Sequence, residues 1–276
     1  MKRAVRALMI AGALMSGLAG PAVAQERTAA GRIAVEYQPS VLLGVNAAVK
    51  REHVLEELQA VLAPLRLPRD LKITMADCGG VKSPYRSGQP VKICYELINQ
   101  IADAAKKLYP TDEAQQDVVI VGAIIQACFH EVAFAIFDIL QVPIWGRADD
   151  AADRLAALIM VALGEDIEKV AILGTSELFK WSATSGKTWT GSSFADAASP
   201  DAQRYFNYIC IAAAADFPAF GGLVQKGTIP PSRAADCTHE LEQVRHAFDL
   251  RIMPFVDPDA LVRVKATQWL EWTPGK

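Results

Sequence analysis

The chain has few histidines, and no two of them are four residues apart. Four histidines occur in 276 residues, and Phe134 occupies the position four residues after His130. Histidines at that spacing share one face of a helix, where both imidazoles bind zinc in the His-Glu-x-x-His peptidases. The complete motif is therefore excluded, and only its first half, His130-Glu131, is present.

The chain also lacks an excess of positive charge. Lys and Arg number 28, against 31 Asp and Glu. Removal of residues 1–24 would take away three basic residues and no acidic ones, which leaves 25 against 31 and a net charge of −6. A protein with this charge has no electrostatic attraction for nucleic acid, so we expect no nucleic-acid partner.

Residues 1–24, MKRAVRALMIAGALMSGLAGPAVA, have the pattern of a secretory signal peptide. Three basic residues precede an apolar run, and Ala22-Val23-Ala24 supplies small residues before a cleavage site. The run at 7–18 is shorter than the ~20 residues that span a bilayer, so we expect no membrane span after cleavage. We predict a signal peptide at 1–24, a flexible segment at 25–31, a single domain at 32–276, and a periplasmic or secreted location.

The five cysteines are an odd number, and export would permit disulfides. Cys78 and Cys94 flank a Gly/Pro-rich segment, and Cys210 and Cys237 lie near two C-terminal helical patterns. We predict those two pairs, although four cysteines allow three connectivities. Cys128 is then left over, and a buried free thiol is the simpler interpretation of it than a metal ligand.

The periodicity of the sequence predicts an α+β fold. RIAVEYQ and LKITM alternate apolar and polar residues as strands do, and PVKICYEL is typical of a strand that continues into a helix. We therefore predict a small N-terminal sheet packed on helices, a buried central helix that carries His130, and a mostly helical C-terminal half. Helices are predicted at 46–65, at 113–140, from Asp149 or Asp150 to Leu163, at 201–215, at 236–250 and from Asp257 onward.

Several separated segments resemble a family of exported bacterial zincin-like proteins, which are classed as zinc metallopeptidases although their domain has no assigned function. LPRDLKITMADCG and VKICYEL are similar to its N-terminal signature. FHEVAFAIFDILQVPIWGRADDAADRLAA is similar to its core, and SPDAQRYFNYICIA, IPPSRAADC and HELEQV to its C-terminal third. The resemblance covers roughly residues 32–250 and implies a zincin-like fold and zinc-dependent hydrolysis of peptides.

The chain departs from the family pattern where the resemblance places the metal. His130 matches the first family histidine and Glu131 the general base, but Phe134 stands in place of the second histidine. Asp149 stands where the third ligand, a glutamate, is expected, and Asp196 falls in a later acidic loop. The resemblance thus implies His130 and Asp149 as metal ligands and Glu131 as the catalytic base. Zinc is the only cofactor that it implies, and we expect zinc to bind weakly.

These departures predict a pseudo-enzyme that acts as a binding or scaffold protein, with a peptide or protein in the former substrate cleft. Phe134 would fill the metal pocket with apolar atoms. Burial would raise the pKa of Glu131, unless Arg147 or Arg154 reaches its carboxylate.

Two alternatives to this prediction remain open. In the first, the chain is an active metallopeptidase with an atypical site, in which another residue replaces the second histidine. The nearby candidates for that ligand are Asp138, Asp150, Asp153 and Cys128. In the second alternative, the chain is a purely structural exported protein.

Overall fold

The computed structural model describes residues 31–185 and 190–269, and within them the chain has the expected α+β architecture. Three parallel strands form one small sheet in the order β1 (Ile33–Tyr37), β2 (Leu71–Ala76) and β3 (Val91–Cys94). Strand β2 is central and buries five of its six residues, because helices cover the sheet and β1 and β3 cover its edges. The predicted signal peptide and most of the predicted flexible segment lie outside the described residues.

The predicted helix at 46–65 is wrong in one respect, because the structure has two helices there. Helix α1 spans Leu43–Arg51 and α2 spans Val54–Leu62. His53 between them has a φ of 51°, a left-handed conformation that a continuous helix does not contain. The Tyr37 hydroxyl accepts a hydrogen bond from the Leu55 amide at 2.8 Å, which satisfies a free N–H at the start of α2. Helical spacing alone could not reveal this break.

The remainder of the described chain is almost entirely helical. Asp112 caps α4, since its carboxylate accepts a hydrogen bond from the Gln115 amide. Asp257 caps α10 in the same way through the Ala260 amide. The helices are α3 (Tyr95–Leu108), α4 (Glu113–Ile139), α5 (Ala148–Ala162), α6 (Glu165–Thr184), α7 (Asp201–Ala215), α8 (Phe217–Gln225), α9 (Pro231–Arg251) and α10 (Pro258–Ala266), with short 3-10 helices at Gly191–Phe194 and Met253–Phe255.

Helix α4 is the centre of the helical layer. It is long and apolar enough to cross a membrane by length and composition, yet 72% of its most apolar window is buried inside the protein. It contacts α3, α5 and α6. Its approach to α6 is closest at Gly122 and Gly174, where an added Cβ would collide with the carbonyl oxygens of Val170 and Val118. We therefore interpret α4 as the core helix of this fold, as the sequence predicts.

The two predicted disulfides are present. Cys78–Cys94 joins the segment after β2 to the end of β3, and Cys210–Cys237 joins α7 to α9. Cys128 is free and buried, also as predicted. Two helices were not predicted, α6 and α8, and α6 forms one wall of the cavity described next.

Candidate functional site

Helices α4 and α5 bring the sequence-predicted site residues together. His130 and Glu131 lie on α4, and Asp149 and Asp153 lie on α5 at the spacing that places two side chains on one helical face. Asp149 Oδ1 is 3.8 Å from His130 Nε2, and Asp153 Oδ1 is 2.8 Å from His130 Nδ1. The imidazole is thus held between two carboxylates from the neighbouring helix.

Asp153 is the most heavily hydrogen-bonded carboxylate of the site. It is 2% exposed and accepts hydrogen bonds from Gln126, Tyr208 and His130. Arg204 donates two further hydrogen bonds to it, of 2.7 and 2.8 Å. Burial alone would raise the pKa of Asp153, but the Arg204 guanidinium and the hydrogen bonds from Arg204 and His130 hold it well below its usual range. Asp153 is therefore an ionised, fully paired carboxylate.

This pairing fixes the tautomer of His130. An ionised carboxylate only accepts hydrogen bonds, so the imidazole proton shared with Asp153 is on Nδ1. Nε2 then carries a lone pair in the neutral imidazole. His130 is 9% exposed and lines the cavity, and Nε2 has no hydrogen-bond partner among the described residues. The ring thus lines the cavity while its Nδ1 side is held by Asp153.

Glu131 behaves as the sequence predicts for a half-buried carboxylate without a cation partner. Burial raises its pKa to about 7, and the Asp149 charge adds to this rise, while His130, Lys82 and Arg204 oppose it. Arg147 instead donates hydrogen bonds to the carbonyls of Phe194 and Ala198. Neither Arg147 nor Arg154 is among the groups that shift the pKa of Glu131. Neither arginine therefore prevents the rise in this pKa that burial causes.

These residues open onto a cavity of about 590 Å³ between α3, α4, α6 and the segment before α7. Charged and titratable side chains make up part of its lining: His130, Glu131, Asp149, Asp196, Asp201, Lys82 and Arg204. The apolar walls come from Leu97, Ile101, Ala104, Leu178, Phe179 and Trp181. The lining therefore combines charged groups of both signs with apolar side chains.

A comparison with protein families identifies the scaffold. The family described as putative metallopeptidase matches residues 42–250, about three quarters of the chain. The chain belongs to this family. Neither a curated protein nor a solved structure matches the chain. The family and its fold class are thus established, and the chemistry at the site has to be argued from the residues of this chain.

Phe134 occupies the position on α4 where a zinc peptidase of the His-Glu-x-x-His type has its second imidazole. Its ring meets the His130 ring edge to face, with centroids 5.2 Å apart and planes at 85°. Phe134 is partly buried and packs against the main hydrophobic core, together with Phe137, while Ile136 is fully buried. A phenyl ring offers no metal ligand, so this position contributes packing only.

The four candidates for a replacement ligand do not complete a zinc site. Asp138 accepts hydrogen bonds from Tyr85 and Ser87, each 2.9 Å, and pairs with Arg69. Asp150 accepts hydrogen bonds from the amide and hydroxyl of Ser199. Burial raises the pKa of the Cys128 thiol to about 12, which keeps it protonated.

Asp153, the fourth candidate, is held by Arg204. Among the described residues, the one group of three histidine, cysteine or acidic side chains close enough to hold a metal ion is Cys78, Cys94 and Glu96. Its two thiols form a disulfide, so they are not free to ligate.

Sequence reasoning missed three contributors to the site. Arg204 anchors Asp153 and also stacks over the Phe179 ring, with its guanidinium carbon 4.1 Å from the ring centroid. Lys82 reaches the cavity from the exposed segment between β2 and β3, and Trp181 comes from the unpredicted α6. Arg204 is a basic residue in a largely apolar helical pattern, SPDAQRYFNYICIA, and that is the one signal that could have pointed to a buried partner.

Proposed function

We propose that this member of the metallopeptidase family is an exported protein that binds a peptide in the former substrate cleft and does not hydrolyse it. The observation that carries the proposal is the ligand set at His130. A catalytic zinc takes three protein ligands and leaves a fourth position open. Here His130 Nε2 and Asp149 are the two candidate ligands, and the Phe134 ring lies against the imidazole.

The residues present do not fit a catalytic zinc. Each strong ligand contributes several kcal/mol to a structural zinc site, whose total is ~10–16 kcal/mol in small peptides. Two ligands supply only part of this free energy, and Asp149 is one methylene shorter than the glutamate that the family pattern has. Glu131 keeps the position of the general base, but without a held metal it has no bound water to deprotonate.

The cavity is suited to binding a peptide. Its volume of about 590 Å³ lies within the ~300–1,000 Å³ of typical ligand sites. Apolar walls from Ile101, Ala104 and Phe179 can bury side chains, and Gln100 and Ser182 place polar groups beside them. These features support a ligand with both apolar and hydrogen-bonding groups, which a short peptide segment provides.

One observation favours an alternative function, an active metallopeptidase with an atypical site. Metal-bound histidines commonly donate their other N–H to a carboxylate, which orients the ring. The His130 Nδ1–Asp153 hydrogen bond of 2.8 Å has this arrangement. In that alternative His130 and Asp149 bind the metal, Glu131 acts as the base, and a group outside the described residues or from the substrate completes the site.

The metal content of the protein separates the two proposals. Protein purified from the periplasm without chelators or added zinc should contain well under one zinc per chain by elemental analysis. Its melting temperature should not change on addition of a chelator. Phe134→His combined with Asp149→Glu should raise zinc affinity, because it restores the three-ligand set.

Stoichiometric zinc that is lost in His130→Ala would overturn the proposal and favour the atypical enzyme. A Phe134→His/Asp149→Glu variant that still binds no zinc would show that these positions do not face a common metal site. Secretion of the protein with its first residue near position 25, measured by mass spectrometry of the periplasmic fraction, tests the export part of the proposal.

A further inference from the structure

We propose that a second pocket, outside the His130 cavity, binds a small organic carboxylate. Side chains of α5, α7 and α9 line this pocket, and its volume of about 480 Å³ lies within the ~300–1,000 Å³ of typical ligand sites. It shares no lining residue with the His130 cavity. The inference therefore does not rest on the peptide-binding proposal, and either of them can fail without the other.

The pocket lies on a firmly connected part of the fold. Helix α7 contacts both α5 and α9, and the Cys210–Cys237 disulfide joins α7 to α9. Asn207 and Arg233, which line the pocket, each lie about one helical turn before one of these cysteines. The backbone positions of both residues are therefore set by packed helices and a covalent link, and not by a loop.

The charged side chains of the pocket leave one cation unpaired. Arg154, Arg233 and Glu240 line it, so two arginines against one glutamate leave a single positive charge. Arg233 donates hydrogen bonds to both Glu240 carboxylate oxygens, at 2.5 and 3.0 Å. Within residues 31–185 and 190–269, the partly buried Arg154 forms no ion pair and no side-chain hydrogen bond. The charge of Asp236 also acts on Arg233, but Asp236 does not line the pocket.

The pocket also contains a buried amide with unused donors. Asn207 is 7% exposed, and its Oδ1 accepts a hydrogen bond of 3.4 Å from Arg233. The Nδ2 of Asn207, which carries two N–H donors, forms no hydrogen bond within the part of the chain that the structure describes. Arg154 and Asn207 thus offer donors, whereas the Glu240 oxygens are already paired with Arg233. A site with surplus donors and one positive charge favours an anionic acceptor.

A carboxylate with an apolar group next to it matches these surroundings. The planar guanidinium of an arginine presents its N–H groups in a fork that fits the two oxygens of a carboxylate. Ala202, Phe206 and Pro230 supply apolar surface in the same pocket. A free organic acid and the carboxyl terminus of a peptide share this chemistry, and the experiment separates these two sources.

Isothermal titration calorimetry at pH 7 tests the inference with three probes: 3-phenylpropanoate, its neutral analogue 3-phenylpropanamide, and N-acetyl-Ala-Phe with a free carboxyl terminus. We expect the carboxylates to bind at least ~10-fold more tightly than the amide, because a hydrogen bond to a charged group is worth about that factor. The tighter of the two carboxylates identifies the source. Arg154→Gln should remove the difference. Arg245→Gln should keep it, because Arg245 is an exposed arginine of α9 that does not line the pocket.

A second measurement locates the bound carboxylate in the wild-type protein. In ¹⁵N–¹H spectra, 3-phenylpropanoate should shift the side-chain amide signals of Asn207, which does not line the His130 cavity, and 3-phenylpropanamide should not. Asn207→Asp replaces the donor with a carboxylate and should abolish binding. Equal binding of acid and amide, binding that is unchanged in Arg154→Gln, or carboxylates that leave the Asn207 signals in place would each refute the site.

Discussion

Two carboxylates on one face of α5 have opposite surroundings, although they lie only four residues apart. Asp153 is buried and accepts hydrogen bonds from four side chains, including the bidentate pair with Arg204. Asp149 accepts none from the described residues, and its side chain is 24% exposed towards the cavity. Both flank His130, on opposite ring nitrogens.

The difference separates a structural role from a functional one. A fully satisfied carboxylate in the core fixes the position of its partners and has no capacity left for a ligand. A partly exposed carboxylate at a cavity keeps acceptor positions open to water or to a ligand. Asp153 therefore fixes the position of the His130 ring, whereas Asp149 keeps acceptor positions open at the cavity.

The largest effect is expected when Arg204, the cation that pairs with Asp153, is removed. Arg204→Gln would leave the Asp153 charge buried without its bidentate partner. We expect the free energy of unfolding to fall by about 3–5 kcal/mol, as for other buried ion pairs that lose one partner. Urea unfolding at pH 7, followed by circular dichroism, measures this loss.

The control is Arg233→Gln, which breaks the more exposed ion pair between Arg233 and Glu240 on α9. It should cost no more than about 1 kcal/mol. The double variant Asp153→Asn/Arg204→Gln should cost less than the two single losses combined, because the uncompensated charge is gone. Equal losses for Arg204→Gln and Arg233→Gln would contradict the structural role of the Asp153 cluster.

The sequence predicts much of the local structure that surrounds these two carboxylates. Alternation located β1 and β2, and the positions of the cysteines suggested both disulfides. The strand signals lie within the strands themselves, and each disulfide joins cysteines fewer than 30 residues apart. Local signals of this kind survive into the fold because tertiary contacts agree with them.

The Asp153–Arg204 pair could not be predicted in the same way. Its partners are 51 residues apart, and no local pattern records which arginine will meet which aspartate. The missed helix α6 has a similar explanation. Its buried side combines the apolar residues Ile167, Val170 and Ile172 with Gly174, Thr175 and Ser176, and these small and polar residues interrupt the apolar pattern on which periodicity depends.

An intermediate effect is expected at Glu168, a buried carboxylate outside the cavity. It is 4% exposed, and its Oε1 has no hydrogen-bond partner among the described residues. Burial raises its pKa from 4.5 to about 7, and the charges of Asp216 and Glu165 add to the rise. Because the folded protein favours the protonated form, this group stabilises the fold at low pH, and that contribution is lost as the pH rises from 4.5 through 7.

Glu168→Gln should therefore have little effect on stability at pH 4.5 and should stabilise the protein by on the order of 1–2 kcal/mol at pH 8.5. Urea unfolding of both proteins at the two pH values measures the difference. Glu242→Gln, an exposed change on α9, should give the same small effect at both. A destabilising effect of Glu168→Gln at pH 8.5 would show that the ionised carboxylate has a stabilising partner.

The smallest effect is expected at Asp149, and it tests the comparison most directly. Asp149→Asn removes a charge from the first turn of α5, where an acidic residue contributes about 0.3–1 kcal/mol through the helix dipole. We expect a loss within that range by urea unfolding, against several kcal/mol for Asp153→Asn on the same helical face. The ¹⁵N shifts of His130 should keep the Nδ1–H tautomer in Asp149→Asn and change in Asp153→Asn, since only Asp153 holds that proton. A loss above 2 kcal/mol in Asp149→Asn would mean that Asp149 supports the fold as Asp153 does, and the two sides of His130 would no longer differ in role.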